Sequence, residues 1–250
     1  MNAYVKNLNR IEFVVTMACT GRCRHCSEGD HANHTGHIDA RVAVDAVRKV
    51  CGRYRIESLM TFGGEPLLCP DVVCAIQGAA AQLGIPRRQV ITNGFFTKDP
   101  ARIAEVAEGL RDSGVNDLLL SVDAFHQETI PLEPVLAFAE RAVREQIPIR
   151  LSPAWLVSPE DSNPYNEKTR EVLRAFEPLR IPIGSGNVVF PSGNALKYLA
   201  EYFDGDVGGA TPYDDDPRDI RSLSFAENGD VLNGNVYRTD ILTILDEYRP

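Results

Sequence analysis

The stretch IEFVVTMACTGRCRHC, residues 11–26, runs from an apolar, β-branched segment straight into three cysteines. Its first part reads as a buried strand, because β-branched and aromatic side chains fit a pleated surface covered on both faces. A loop follows in which Gly21 permits a tight backbone path. The C-x3-C-x2-C spacing lets Cys19, Cys23 and Cys26 wrap one metal centre. A structural zinc would need a fourth ligand, and His25, His31, His34 and His37 are near enough in sequence to supply it. An iron-sulfur cluster is the other option, and three cysteines would leave one of its irons open.

Working outward, short β-branched runs alternate with segments of helical period. Strands are expected over about 11–17, 56–62, 88–92, 117–122, 148–156 and 183–190. Helices fall between them, at about 38–52, 70–83, 99–112, 132–146 and 166–178. Asp39 is placed to cap the first helix, Pro70 suits a first helical turn, and Gly84 and Gly114 suit helix ends. Units of this kind build an α/β fold with a parallel sheet, here a partial (β/α)6 barrel of the TIM type. In such barrels the carboxyl ends of the strands carry the chemistry. The cysteines follow the first strand, GGEP (63–66) the second, TNG (92–94) ends the third and SVD (121–123) the fourth. Every candidate therefore falls at one mouth.

The net charge of −9 argues against a general affinity for nucleic acid, since phosphate binding needs a basic surface. No apolar run approaches the roughly 20 residues of a membrane span, so no membrane role is expected. No leader precedes the first strand, and a cytoplasmic location is expected. A reducing compartment leaves clustered cysteines to metal or redox work. GDVGGATPYDDDPRD (205–219) reads as a mobile acidic loop.

The cysteine spacing after the first strand, followed by GGEP after the second, resembles the radical S-adenosylmethionine (radical SAM) superfamily over roughly residues 11–196. The resemblance implies a [4Fe-4S] cluster held by Cys19, Cys23 and Cys26, with the amino and carboxylate groups of SAM on the fourth iron. His25 stands where the family usually has an aromatic residue near the adenine. Gly63, Gly64 and Glu65 match the motif that binds the methionine amino group. Asn93, Ser121 and Asp123 occupy strand ends that in similar enzymes reach the ribose or carboxylate of SAM. PSGNA (191–195) resembles a P-x-G-R-A element near the adenine, with Asn194 in place of the arginine. The implied chemistry is reductive cleavage of SAM to methionine and a 5'-deoxyadenosyl radical, fed by a donor such as flavodoxin or ferredoxin. That radical takes a hydrogen atom from the substrate.

Several residues remain. Arg22 and Arg24 flank the thiolates and offset their charge, or are solvated loop residues. His126, just beyond a strand end, is the best single acid-base candidate. Cys69, beside a helix N-terminus, is expected to have a depressed pKa and is a candidate hydrogen-donating thiol. HANHTGH (31–37) has a spacing suited to a second metal, or forms a polar cover. The tail from 223 to 248 has a turn at Asn228-Gly229 and then a helix, resembling a SPASM or twitch extension. No cysteine follows Cys74, so it cannot hold an auxiliary cluster. The expected division is a core barrel, 1–196, and a tail, 197–250, that closes the barrel at its base. The tail and PSGNA favour a peptide or amino-acid-derived substrate. The alternatives are a small metabolite, a glycyl-radical-enzyme activase, and a scaffold that binds SAM and cluster without catalysis.

Overall fold

The computed structural model describes residues 2–31, 33–203 and 214–250; most of the acidic stretch 205–219 therefore lies outside the described residues. The chain begins with four regular strand-helix units. They are β1 (Arg10–Thr16) with α1 (Ala40–Cys51), β2 (Ser58–Gly63) with α2 (Pro70–Gln82), β3 (Arg87–Thr92) with α3 (Pro100–Asp112), and β4 (Asp117–Leu120) with α4 (Ala124–Gln127) and α5 (Leu132–Arg144). Asp39 caps α1 as expected, accepting from the backbone N–H groups of Arg41 (2.8 Å) and Val42 (3.1 Å). The buried face of α1 is Ala43, Ala46, Val47 and Val50, the spacing of one helical stripe laid on a sheet.

The next part is less regular. β5 (Ile149–Leu151) and β6 (Ala154–Trp155) precede α6 (Pro164–Arg174), and β7 (Asn187–Val188) precedes α7 (Gly193–Tyr198). The expected fifth strand is thus broken, at Ser152-Pro153, where proline has no N–H to give to a ladder. The sixth expected strand follows it only in fragments, through a Leu151–Ile183 bridge and the β6–β7 pair. Gly186, at φ +70, marks the reason for that short pairing: a Cβ there would lie 2.0 Å from the Pro153 carbonyl oxygen. The two segments meet backbone to backbone through the short pairings Leu151–Ile183, Ala154–Asn187 and Trp155–Val188 rather than along one continuous strand.

The chain ends with β8 (Ser222–Phe225), the hairpin β9 (Asp230–Val231) and β10 (Gly234–Asn235), and α8 (Ile241–Glu247). The main sheet has the order β5-β4-β3-β2-β1-β8, with all pairs parallel. Here the expectation for the tail needs correction, because it does not close the base. β8 pairs alongside β1, and Phe225 stacks on Phe13 at 4.6 Å between ring centroids. Each of these fully buried rings contributes about 1.5–3 kcal/mol by leaving water. α8 then runs along α1: the Asp39 N–H donates to Tyr237 Oη (2.8 Å), Lys49 meets Asp240 (2.6 Å) and Arg53 meets Asp246 (2.7 Å). The tail is another strand-helix unit added at the β1 edge. At the base itself, Asp117 accepts from Arg87, Arg150 and Gln89, each at 2.9 Å.

Candidate active site

The cysteine loop leaves the top of β1 and is gripped first by β2. Gly64 N–H donates to Thr16 O and Glu65 N–H to Ala18 O, both at 2.8 Å. The two glycines are explained by this approach. A Cβ on Gly63 would lie 2.4 Å from Thr16 O, and one on Gly64 would lie 2.3 Å from Ala18 O. Glu65 is fully buried. Its Oε1 accepts from Leu67 N–H (2.8 Å) and Thr92 Oγ1 (2.7 Å), and its Oε2 from Asn93 N–H (2.8 Å). Burial nonetheless pushes its pKa from an ordinary 4.5 to about 7, and the three donors only moderate the rise. A carboxylate held this way gains from any cation that reaches its remaining lone pairs.

Asn93 ties the ends of β1 and β3 together. Its amide donates to Thr20 Oγ1 (3.2 Å) and lies 3.7 Å from Cys19 Sγ. Cys19, Cys23 and Cys26 are all free thiols, and Cys23 is buried. Burial raises all three pKa values, Cys19 to about 11. At Cys23 the charge of Asp123 and then the other two thiols add to the rise, and Cys26 and Cys19 are likewise close enough to repel as anions. Three desolvated sulfurs in one loop keep their protons unless a metal takes their place.

Asp123, fully buried, and His126, partly buried, pair at the top of β4. The Asp123 carboxylate accepts from His126 Nδ1 (2.8 Å), His126 N–H (3.0 Å) and Ala154 N–H (3.0 Å), so its contacts run to His126 and β6. Burial works against both charges, but each partner outweighs it: Asp123 is held low and His126 raised. The His126 ring lies 4.8 Å from the His25 ring, which in turn lies 4.8 Å from Phe125. Burial drives His25 down to about 4, and its Nδ1 is buried with no hydrogen-bond partner. One ligand atom each from Cys23, His25 and His126 lie within 4.8 Å of one another.

The other sequence candidates are distributed unevenly. Ser121 is half-buried at the strand end, its N–H on Thr92 O (2.8 Å). Asn194 faces the cysteine loop, donating its side-chain amide to Cys23 O and Gly29 O, both at 3.1 Å. Cys69 departs from expectation, since burial and then Asp71 raise its pKa. In the histidine loop, His31 Nε2 lies 3.1 Å from Cys26 Sγ and its Nδ1 lies 2.7 Å from Met17 O. Among the described residues, His31, His34 and His37 form no common metal-ligand group. Sequence reasoning passed over Thr129, whose Oγ1 accepts from Arg22 N–H (3.0 Å), and Tyr165, stacked on Phe125 at 4.6 Å. Neither lies in a motif.

The donor set suits a cluster with one open iron. Three free thiols share one short loop, and the neighbouring buried Glu65 and the unpartnered His25 nitrogen suit a ligand that brings a cation and polar ring atoms. Over residues 13–152 the sequence matches the radical SAM superfamily. The chain belongs to that superfamily. As a radical SAM protein it is an enzyme, with a [4Fe-4S] cluster and SAM as cofactors. A probable GTP 3',8-cyclase of Saccharolobus solfataricus is 25% identical over 221 residues, 82% of this chain and 67% of that protein. Among solved structures, Streptococcus suis SuiB bound to precursor peptide SuiA matches with a TM-score of 0.60 at 13% identity, over 98% of this chain and 65% of that one. BtrN in complex with AdoMet and 2-DOIA matches with a TM-score of 0.52 at 14% identity, over 97% of this chain and 83% of that one. These two likenesses speak for a shared fold alone. The chain thus spans about two thirds of the length of SuiB. Among the described residues no helix is long and apolar enough to cross a membrane.

Proposed function

We propose that this chain is a radical SAM enzyme acting on a small polar metabolite, with residues 1–196 as the catalytic barrel and 197–250 as an appended unit. The observation that carries this reading is a cavity of about 590 Å3 over the cysteine loop, between Cys19, Gly21 and His31 on one side and Asn194, Lys197 and Tyr198 on the other. Small-molecule sites usually enclose about 300–1,000 Å3, and this space must also admit SAM. Its lining includes Arg22, Arg24 and Lys197 together with Asp30 and Glu128, Arg24 pairing with Glu128 at 3.3 Å, a mixed charged surface that suits a substrate bearing both anionic and hydrogen-bonding groups. Relatives named as GTP 3',8-cyclases, whose substrate is small and anionic, support the same reading.

In this reading Cys19, Cys23 and Cys26 hold the cluster. With SAM bound it would supply one-electron reductive chemistry toward the substrate, the electron coming from a donor such as flavodoxin or ferredoxin. Glu65 receives the methionine ammonium, with Gly63 and Gly64 fixing its distance from the loop. Asn93 and Ser121 face the ribose or carboxylate of SAM. His126, oriented by Asp123 at Nδ1, presents Nε2 as the acid-base group. Asp123 thereby acts as the holder of His126 in place of a ribose contact. Cys69 packs against the hydrophobic core and does not line the cavity, so this reading gives it no hydrogen-donor role.

The test is anaerobic turnover of reconstituted protein with SAM and dithionite, supplemented with either the low-molecular-mass fraction of a cell extract or a peptide library. Stimulation of 5'-deoxyadenosine release by the first and not the second is expected. Stimulation by peptides alone would overturn the small-metabolite reading in favour of a peptide substrate.

A further inference from the structure

We infer that the Ser192-Gly193-Asn194 turn is a latch on the cysteine loop, which makes Asn194 a positioning residue for the cluster rather than a contact to adenine. The inference rests on the assignment of Cys19, Cys23 and Cys26 as cluster ligands.

The cysteine loop has little regular structure of its own, so its shape must come from neighbours. Its start is held by β2 and β3, through Gly64, Glu65 and Asn93. Its end is held by one turn that lies more than 160 residues away in sequence. Asn194 Nδ2 donates to Cys23 O and to Gly29 O (both 3.1 Å), while its backbone N–H donates to Cys26 O (2.9 Å). Ser192 Oγ donates to Ser27 O (3.1 Å). The turn therefore reaches four backbone carbonyls between residues 23 and 29, two of them belonging to cluster cysteines. Fixing those peptide planes fixes the direction in which the Cys23 and Cys26 side chains leave the backbone.

Gly193 supplies independent support. It has φ +51, and a Cβ on it would lie 2.4 Å from Ser27 O and 2.6 Å from Cys26 O. The turn sits against the loop backbone with no room for a side chain. Both amide hydrogens of Asn194 are taken up by protein carbonyls, so only Oδ1 remains for another partner. Asparagine is short enough to end at the loop, in a position where the similar P-x-G-R-A element carries a long arginine.

The experiment measures iron extraction by a chelator, the EPR spectrum of the reduced cluster, SAM affinity and thermal midpoint. It compares reconstituted wild type with Asn194→Ala, Asn194→Ser, Asn194→Asp and Gly193→Ala. Losing both side-chain hydrogen bonds should speed iron extraction roughly tenfold in Asn194→Ala. The EPR signal should shift or broaden, and the thermal midpoint of the chain should change little, because the main core is untouched. Asn194→Ser, which keeps a donor, should fall between Asn194→Ala and wild type. Asn194→Asp and Gly193→Ala should resemble Asn194→Ala. Wild-type extraction and EPR in Asn194→Ala, combined with weaker SAM binding, would overturn the latch and return Asn194 to the SAM site. A wild-type chain that takes up no iron, or a Cys23→Ala variant that keeps it, would instead overturn the thiol assignment and the latch with it.

Discussion

The two sides of the barrel are held together by different means. From β1 to β4 the strands form continuous ladders, and their upper ends deliver the cysteine loop, Gly63 to Glu65, Asn93 and Asp123 in sequence order. From β5 to β7 the ladder breaks into pieces of two or three residues, and buried side-chain amides take over. Asn166 is the main one: its Oδ1 accepts from Leu156 N–H (2.9 Å), and its Nδ2 donates to the carbonyls of Leu156, Ser158 and Asp161 at 2.8–3.1 Å. Between these contacts sits Val157 at φ +67, a backbone state that a β-branched residue resists. The regular side positions the cysteine loop, Gly63 to Glu65 and Asn93 by backbone geometry. The irregular side is held by specific side-chain hydrogen bonds, and it tolerates strain there.

Changes that attack each side should differ in kind. The largest effect is expected from Gly64→Ala, whose Cβ meets Ala18 O at 2.3 Å and Met17 O at 2.7 Å. Roughly 3 kcal/mol or more of stability should be lost in denaturant unfolding, together with SAM binding. A variant of wild-type stability would show that the β2 end is not tightly docked on the loop. Next comes Asn166→Ala, which strands buried backbone groups and should cost about 1–3 kcal/mol by the same measurement. Proteolysis should then begin in the 156–163 loop; first cleavage on the β1–β4 side would contradict the division.

A subtler effect concerns Glu65. Because burial raises its pKa to about 7, the folded chain holds a proton that the unfolded chain releases near pH 4.5. Its contribution to stability without SAM is therefore fullest at low pH and falls as pH rises through that window. Binding of a cationic ammonium runs the other way. From pH 6 to pH 8 the SAM affinity of the cluster-loaded protein should rise about tenfold by calorimetry, as the ionised fraction does. Glu65→Gln should flatten the profile; an unchanged slope would place the titrating group elsewhere. The smallest effect is expected from Val157→Gly. With Val157 half exposed, relief of the left-handed backbone should stabilise by about 1 kcal/mol at most. Destabilisation by that amount would mean the valine packs more than it strains.

The same division explains what could be read from the sequence. Where one ladder follows another, β-branched runs, helix caps and turn glycines point to the same elements, so β1 to β4 and the loops at their upper ends were legible. The cysteine spacing and GGEP were legible for a chemical reason, since both need fixed residue types at fixed offsets. The broken fifth strand was not, because Ile149, Arg150, Leu151 and Ser152 alternate apolar and polar as the start of one strand would, and only Pro153 hints at the interruption. The tail had the right turn and helix, but nothing local says that Leu223 and Phe225 pack beside β1. The grips of Asn166 and Asn194 were hidden as well. A polar residue that spends its hydrogen bonds on distant backbone looks, in sequence, like any surface asparagine.

The most direct test of the account is 5'-deoxyadenosine formation from SAM by anaerobically reconstituted protein with dithionite, in wild type and Cys23→Ala. The expected product requires SAM, reductant and an intact Cys23, with the variant lacking both the cluster absorbance and the product. Product formed equally by Cys23→Ala, or none from wild type with a full, reducible cluster and bound SAM in the presence of an extract containing its substrate, would contradict it.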